Sequence, residues 1–251
     1  MNQALIATII ATLLIGIIAG SVIQRNRTPE QNQVHSAEQT YIIAAEDFVA
    51  VRPEIAALPE QELSEAELAG LMLMREEEKL ARDVYQRLYD TYRMPIFQNI
   101  AQSEQTHTEA VRDLIEKYGL EDPVTDDTMG VFRSPDIQNL YNELVTEGIQ
   151  GENKALQVGA TIEDLDIKDL EDLLAQTDNE DIILVYENLQ RGSRNHLRAF
   201  VGQIESRGLT YKPKYILEET YQSIIGSEQE RGSGATGKQS RGWGNNSGRN
   251  Q

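Results

Sequence analysis

The sequence predicts an all-α protein whose ordered part is a four-helix bundle with one long crossover. Three observations point there. Apolar residues recur at helical spacing in four separate blocks, alternating three and four apart in the first. No strand-like alternation competes with them. An acidic, turn-rich stretch with a further helical pattern separates the second block from the third, leaving room for a connection that runs the length of a bundle.

The first block follows Ser64, an N-cap residue with Glu67 at the capping-box position. It carries Leu71, Met74, Glu78, Ala81, Tyr85, Leu88 and Tyr92 along one seam. The second opens at Pro95, suited to a first helical turn, and reads Phe97, Ile100, Glu104, His107, Val111, Leu114 and Tyr118 before Gly119 stops it. Residues 121–129 form the acidic turn. Residues 134–147, with Leu140, Tyr141, Leu144 and Val145, make a crossover helix. A third bundle helix is expected over residues 151–164 with Leu156, Gly159 and Glu163 on its seam, and Asp166 is read as the cap of a short following helix through Leu174. The fourth starts near Asp178, aligns Ile182, Leu189, Ser193, His196 and Phe200, and ends before Gly208.

Four segments follow: 1–25 a membrane segment, 26–63 a polar tether with Pro29, Pro53 and Pro59, 64–225 the bundle, and 226–251 a Gly/Ser-rich tail with too little apolar surface to order itself. Residues 4–23 run without a charge for about the length of a bilayer core. They read as a single N-terminal anchor or as an export signal cleaved near Ala19-Gly20-Ser21; Arg25 and Arg27 after the span lean toward a cytoplasmic bundle without deciding the side.

Composition narrows the chemistry. The 41 acidic against 23 basic residues give a net charge of −18, which repels nucleic acid and favours cations. With no cysteine, disulfides and thiolate chemistry are ruled out, and His and carboxylate are the strong metal ligands that remain. Carboxylates and imidazoles on a bundle seam need partners, because an unsatisfied buried polar group costs about 1–3 kcal/mol and a charge more. Glu104 and His107, three apart, point to one side of their helix. Alone such a pair more often marks a surface ion pair. Here each other helix brings a seam group of its own: Glu78, Glu163 and His196. Two of the three histidines in the chain therefore lie on seams. The alternative is a histidine satisfied by a carboxylate with no metal.

The runs LMREEEKLARDVY at 73–85, NIAQSEQTH at 99–107, GATIE at 159–163 and GSRNHLRAF at 192–200 resemble the prokaryotic ferritin-like family catalogued as domain of unknown function 2202, over roughly residues 68–221. More distantly the pattern is similar to rubrerythrins and ferritins, where a helix-one glutamate is followed by Ala at the third and Tyr at the seventh position, as Glu78 is by Ala81 and Tyr85. The resemblance implies a ferritin-like fold. It selects Glu78 over Glu76 and Glu77, gives Glu104 and His107 the helix-two role, Glu163 the helix-three carboxylate and His196 the helix-four histidine. It departs at Ser193, where those relatives carry the glutamate of a Glu-x-x-His motif; Asp166, three after Glu163, is the candidate replacement if the third helix continues that far.

The function implied is a non-haem iron oxidoreductase acting with dioxygen or hydrogen peroxide, with one or two iron ions held by Glu78, Glu104, His107, Glu163 and His196, manganese and zinc being alternatives. The competing expectation is a membrane-tethered metal-binding or structural module without turnover. A homodimer is compatible with either. Tyr85 and Tyr186 are placed near the centre by register, as core residues with satisfied hydroxyls or, alternatively, as redox-active groups or hydrogen-bond partners of the ligands. Arg82 and Arg194 are expected to pair with acidic neighbours.

Overall fold

The computed structural model describes residue 53 and residues 55–230; the candidate membrane segment, most of the tether and residues 231–251 lie outside it. Among the described residues all regular structure is helical, and no helix is long and apolar enough to cross a membrane. We number the helices α1 (Glu65–Tyr92), α2 (Pro95–Lys117), α3 (Pro135–Gly148), α4 (Glu152–Leu174), α5 (Glu180–Ser206) and α6 (Glu218–Ile225).

Helix ends follow local chemistry. Ser64 and Glu67 close the expected capping box on α1, which satisfies two of the amide groups that a helix start leaves without partners. Arg93 ends α1 in a left-handed conformation, and Pro95 opens α2 two residues later. Ser134 caps α3 ahead of Pro135. Gly119 and Gly208 take positive φ after α2 and α5, where a side chain would be strained.

The long helices pack in a ring: α1 on α2, α2 on α5, α5 on α4 and α4 on α1. Lys117 at the end of α2 meets Asp181 at the start of α5, while Tyr92 at the end of α1 meets the Gly148 carbonyl just before α4. Thus α2 and α4 run in the same direction, and the chain between them must travel back along the bundle. Helix α3 does this, lying across α1 and α4. Glu76 fixes its start by accepting from the Arg133 and Ser134 amides at 2.7 and 3.0 Å. The buried Lys79–Asp83 pair, 2.6 Å apart, binds the turn before it through the Thr128 carbonyl and the Gly130 amide.

Helix α4 is one continuous helix through Leu174, so Asp166 lies inside it and caps nothing. The acidic side chains that suggested a break instead find tertiary partners. Asp164 accepts from the Tyr211 hydroxyl and from the Lys214, Tyr215 and Ile216 amides, which straps residues 211–216 across the bundle. Nor does order stop at the end of α6. Glu230 pairs with Arg194 and Arg198, its carbonyl accepts from Asn195 Nδ2 and its amide donates to Asn195 Oδ1, so residues 226–230 are held on α5. At the other end, Ile55 is buried and Lys117 holds the Ile55 and Leu58 carbonyls, which docks the end of the tether.

The core has two apolar layers. One contains Tyr85, Phe97 and Phe200 with ring centroids 5.3–6.3 Å apart, together with Leu88, Leu156 and Leu197. The other contains Leu71, Met74, Leu114, Leu170, Ile182 and Leu189. At about 1.5–3 kcal/mol for each large apolar side chain buried, these layers supply the driving force that tolerates a polar layer between them. Gly159 permits the first layer: a Cβ there would stand 2.4 Å from the Phe200 ring.

Candidate metal centre

Between the apolar layers, α1, α2, α4 and α5 each turn a polar side chain inward, and the five residues named from the sequence, Glu78, Glu104, His107, Glu163 and His196, meet in one place. All are 5% exposed or less. On α1, Glu78 follows Met74 by one turn; on α2, Glu104 and His107 share a face; α4 and α5 deliver Glu163 and His196 at the same level. They form two groups, Glu78/Glu104/His107 and Glu104/Glu163/His196, each with ligand atoms within 4.8 Å of one another and each able to hold a metal ion.

Glu104 belongs to both. Its Oε2 is 2.7 Å from His107 Nδ1 and its Oε1 is 2.8 Å from His196 Nδ1. Each histidine has a second carboxylate on its outer side: Glu78 Oε2 lies 3.3 Å from His107 Nδ1, and Glu163 Oε2 lies 3.5 Å from His196 Nδ1. The two imidazole centroids are 5.6 Å apart, with the ring planes inclined at 28°.

Supporting contacts aim these groups. His196 Nε2 is 3.1 Å from Ser103 Oγ, and that contact orients the ring so that Nδ1 faces Glu104 and Glu163. Tyr85 donates its hydroxyl to Glu163 Oε1. Gly192 makes room for His107, since a Cβ there would stand 2.5 Å from the ring. Glu78 Oε1 is fully buried and makes no hydrogen bond among the described residues.

Burial and neighbouring charges pull the pKa values of the five groups in different directions. Burial pushes the Glu78 carboxyl up to about 8, His107 opposing and Glu104 reinforcing the shift. Burial likewise raises Glu163. For the histidines burial works toward the neutral form but loses to adjacent carboxylates: His196, beside Glu104 and Glu163, is raised to about 10, and His107, beside Glu104 and Glu78, is raised well above its ordinary value. Glu104 also resists burial, and the two histidines hold it well below the carboxylate range. Such protons are what a divalent cation displaces.

Residues 67–228 match the family model of the uncharacterized protein domain DUF2202. The chain belongs to the DUF2202 family. It is 57% identical over 178 residues to the uncharacterized protein MJ0754 of Methanocaldococcus jannaschii, covering 71% of this chain and 96% of that protein. The crystal structure of hypothetical protein MJ0754 from Methanococcus jannaschii superposes with a TM-score of 0.68, covering 69% of this chain and 99% of the other.

Within this DUF2202 fold, other residues stand differently from the sequence reading. Asp166, carried inward by the unbroken α4, accepts from Ser193 Oγ. It feels the charges of Glu78, Glu163 and Glu104, so α4 brings a fourth buried carboxyl group toward the centre, held against Ser193 of α5. Tyr186 is not at the centre: it lies in the second apolar layer near Glu67 and Gly70, and its hydroxyl has no hydrogen-bond partner among the described residues. Arg82 pairs with Asp83 and Asp127, and Arg194 with Glu230. Ser103, Gly192, Glu77 and Asp169 were passed over in the sequence. The signal for Asp169 was present, because carboxylates at 163, 166 and 169 repeat every three residues along α4.

Proposed function

We propose that this DUF2202 protein is a ferritin-like iron protein, binding two ferrous ions at the Glu78/Glu104/His107/Glu163/His196 centre and oxidising them with hydrogen peroxide or dioxygen. The observation that carries the reading is Glu104: one carboxylate offers one oxygen toward each of two histidines, and each histidine has its own flanking carboxylate. That is the donor pattern of a bridged pair of cations. Mixed oxygen and imidazole donors without thiolate suit iron or manganese, and also accept zinc. The orphaned Glu78 Oε1 and the surplus of buried carboxylates favour a cation over a self-satisfied polar network.

When bound, two ferrous ions supply two electrons, enough to convert one hydrogen peroxide and two protons to two waters. The chain contributes the rest. Glu104 would be shared between the two ions, Glu78 and Glu163 would balance their charge, and His107 and His196 would hold them with neutral nitrogen donors. Ser103 and Tyr85 restrain His196 and Glu163. The apolar layers hold bulk water away, which strengthens each of these interactions.

A second reading, a metal centre that fastens the helices without turnover, is favoured by Ser193, which leaves α5 with one donor fewer. Anaerobic loading with ferrous ion followed by a peroxide pulse separates the two. Consumption of about one peroxide per two ferrous ions, abolished in Glu104→Gln, supports the oxidoreductase. A metal-dependent rise in melting temperature with no consumption of peroxide or dioxygen supports the structural role.

A further inference from the structure

Beside the centre lies a second set of carboxylates that it does not use. Glu77 and Asp166 border a small cleft between α1, α3 and α4 whose other walls are largely apolar, with Leu80, Leu140, Leu144 and Leu165. Glu77 is 7% exposed and Asp169 is 5% exposed, and they face each other. Glu77 Oε2 and Asp169 Oδ2 are both buried without a hydrogen-bond partner among the described residues.

The neighbourhood makes this selective. Glu76, one residue earlier, has two amide donors, and Asp83 has Lys79. The nearest lysine in sequence to Asp169, Lys168, pairs instead with Asp172. Glu77 faces Asp169 on one side and borders the cleft with Asp166 on the other, and Glu77 and Asp169 each keep a buried oxygen that no N–H or hydroxyl of the described residues reaches, the donor set a cation takes. Asp166 makes the connection inward, because it borders the cleft on one side and on the other is held by Ser193 of α5, three residues before His196, within range of the charges of Glu78, Glu163 and Glu104.

We propose that Asp169, Glu77 and Asp166 form a loading route that takes a divalent cation from the cleft and passes it to the buried centre. The inference rests on the metal-binding reading above. It explains how a centre enclosed between two apolar layers is filled without unfolding: a dehydrating cation meets a carboxylate at each step, Glu77 with Asp169 first, Asp166 next, then Glu78 or Glu163. Ser193 keeps a donor on Asp166 and so holds it at the junction.

The test is the rate at which cobalt(II) enters the metal-free full-length protein, followed by stopped-flow absorption of the bound ion. Asp169→Asn and Glu77→Gln keep the shapes and remove the charges. Asp90→Asn, an exposed carboxylate near the end of α1, controls for the change in net charge. Circular dichroism and melting establish that each variant is folded. Both route variants should load about tenfold more slowly and reach the wild-type cobalt content, while Asp90→Asn loads at the wild-type rate. Wild-type loading rates in both route variants overturn the route. So does a lower final cobalt content, which makes these residues ligands instead. A wild-type protein that takes up no cobalt overturns the metal-centre reading itself, a result distinguishable from either.

Discussion

Replacing Gly192 by alanine tests whether His107 is held in place by the absence of a side chain on α5. The new Cβ would lie 2.5 Å from His107 Cε1 and 2.7 Å from Nε2, whereas ordinary contact begins near 3.4 Å. The ring must move by about 1 Å. It cannot do so freely, being 1% exposed, with Glu104 Oε2 at 2.7 Å and Glu78 Oε2 at 3.3 Å from Nδ1. Overpacking of this kind costs about 1–3 kcal/mol, and the better helix propensity of alanine returns up to about 1. The metal-free variant should therefore melt only a few degrees lower, at about 2–4 °C per kcal/mol for a domain of this size. Metal affinity should suffer far more, by about 10- to 100-fold, because a ligand displaced by an ångström no longer meets the ion. Chelator competition and calorimetry read the two effects separately. Wild-type affinity in Gly192→Ala would refute the claim that His107 is a positioned ligand.

Three further outcomes follow from the same geometry. With chelator present, stability should fall as pH rises from about 6.5 to 10, because His196 is raised from 6.5 to about 10 and contributes fully only below its unfolded value, while Glu78, raised to about 8, adds a loss between 4.5 and 8. Metal-loaded protein should show a flatter profile by calorimetry over that range. Asp164→Ala leaves the Tyr211 hydroxyl and three amides without their acceptor, so it should destabilise by about 3 kcal/mol or more and expose residues 211–216 to hydrogen exchange before the bundle. Tyr186→Phe removes a buried hydroxyl that has no partner and should be neutral or stabilising by about 1 kcal/mol in thermal melting, with metal content unchanged.

Much of the helical framework was legible because seams and caps are local signals. Ser64 with Glu67, Pro95, Ser134, Gly119 and Gly208 marked helix ends through backbone chemistry that acts within a few residues. The five centre residues were legible for a related reason: ionisable groups at apolar seam positions demand an explanation. What failed depended on distant contacts. Asp166 has the composition of a cap, and only Ser193 from α5 and the cleft beside α1 explain why it sits mid-helix. Asp164 looked like a helix end until the strap at 211–216 supplied four donors. Residues 226–230 carry no apolar signal, and their order rests on Arg194 and Arg198 reaching Glu230. Tyr186 shares a face with the seam but sits ten residues before His196, nearly three turns away, too far along α5 to reach the centre.

The central claim is that the buried carboxylates and histidines hold metal through a shared Glu104. Metal content by mass spectrometry on the full-length protein, expressed with iron available and compared with Glu104→Gln, tests it most directly. The account predicts about two iron ions per wild-type chain and loss of at least one in the variant. Wild-type protein that is folded and free of metal, or a variant that retains the full complement, would contradict it.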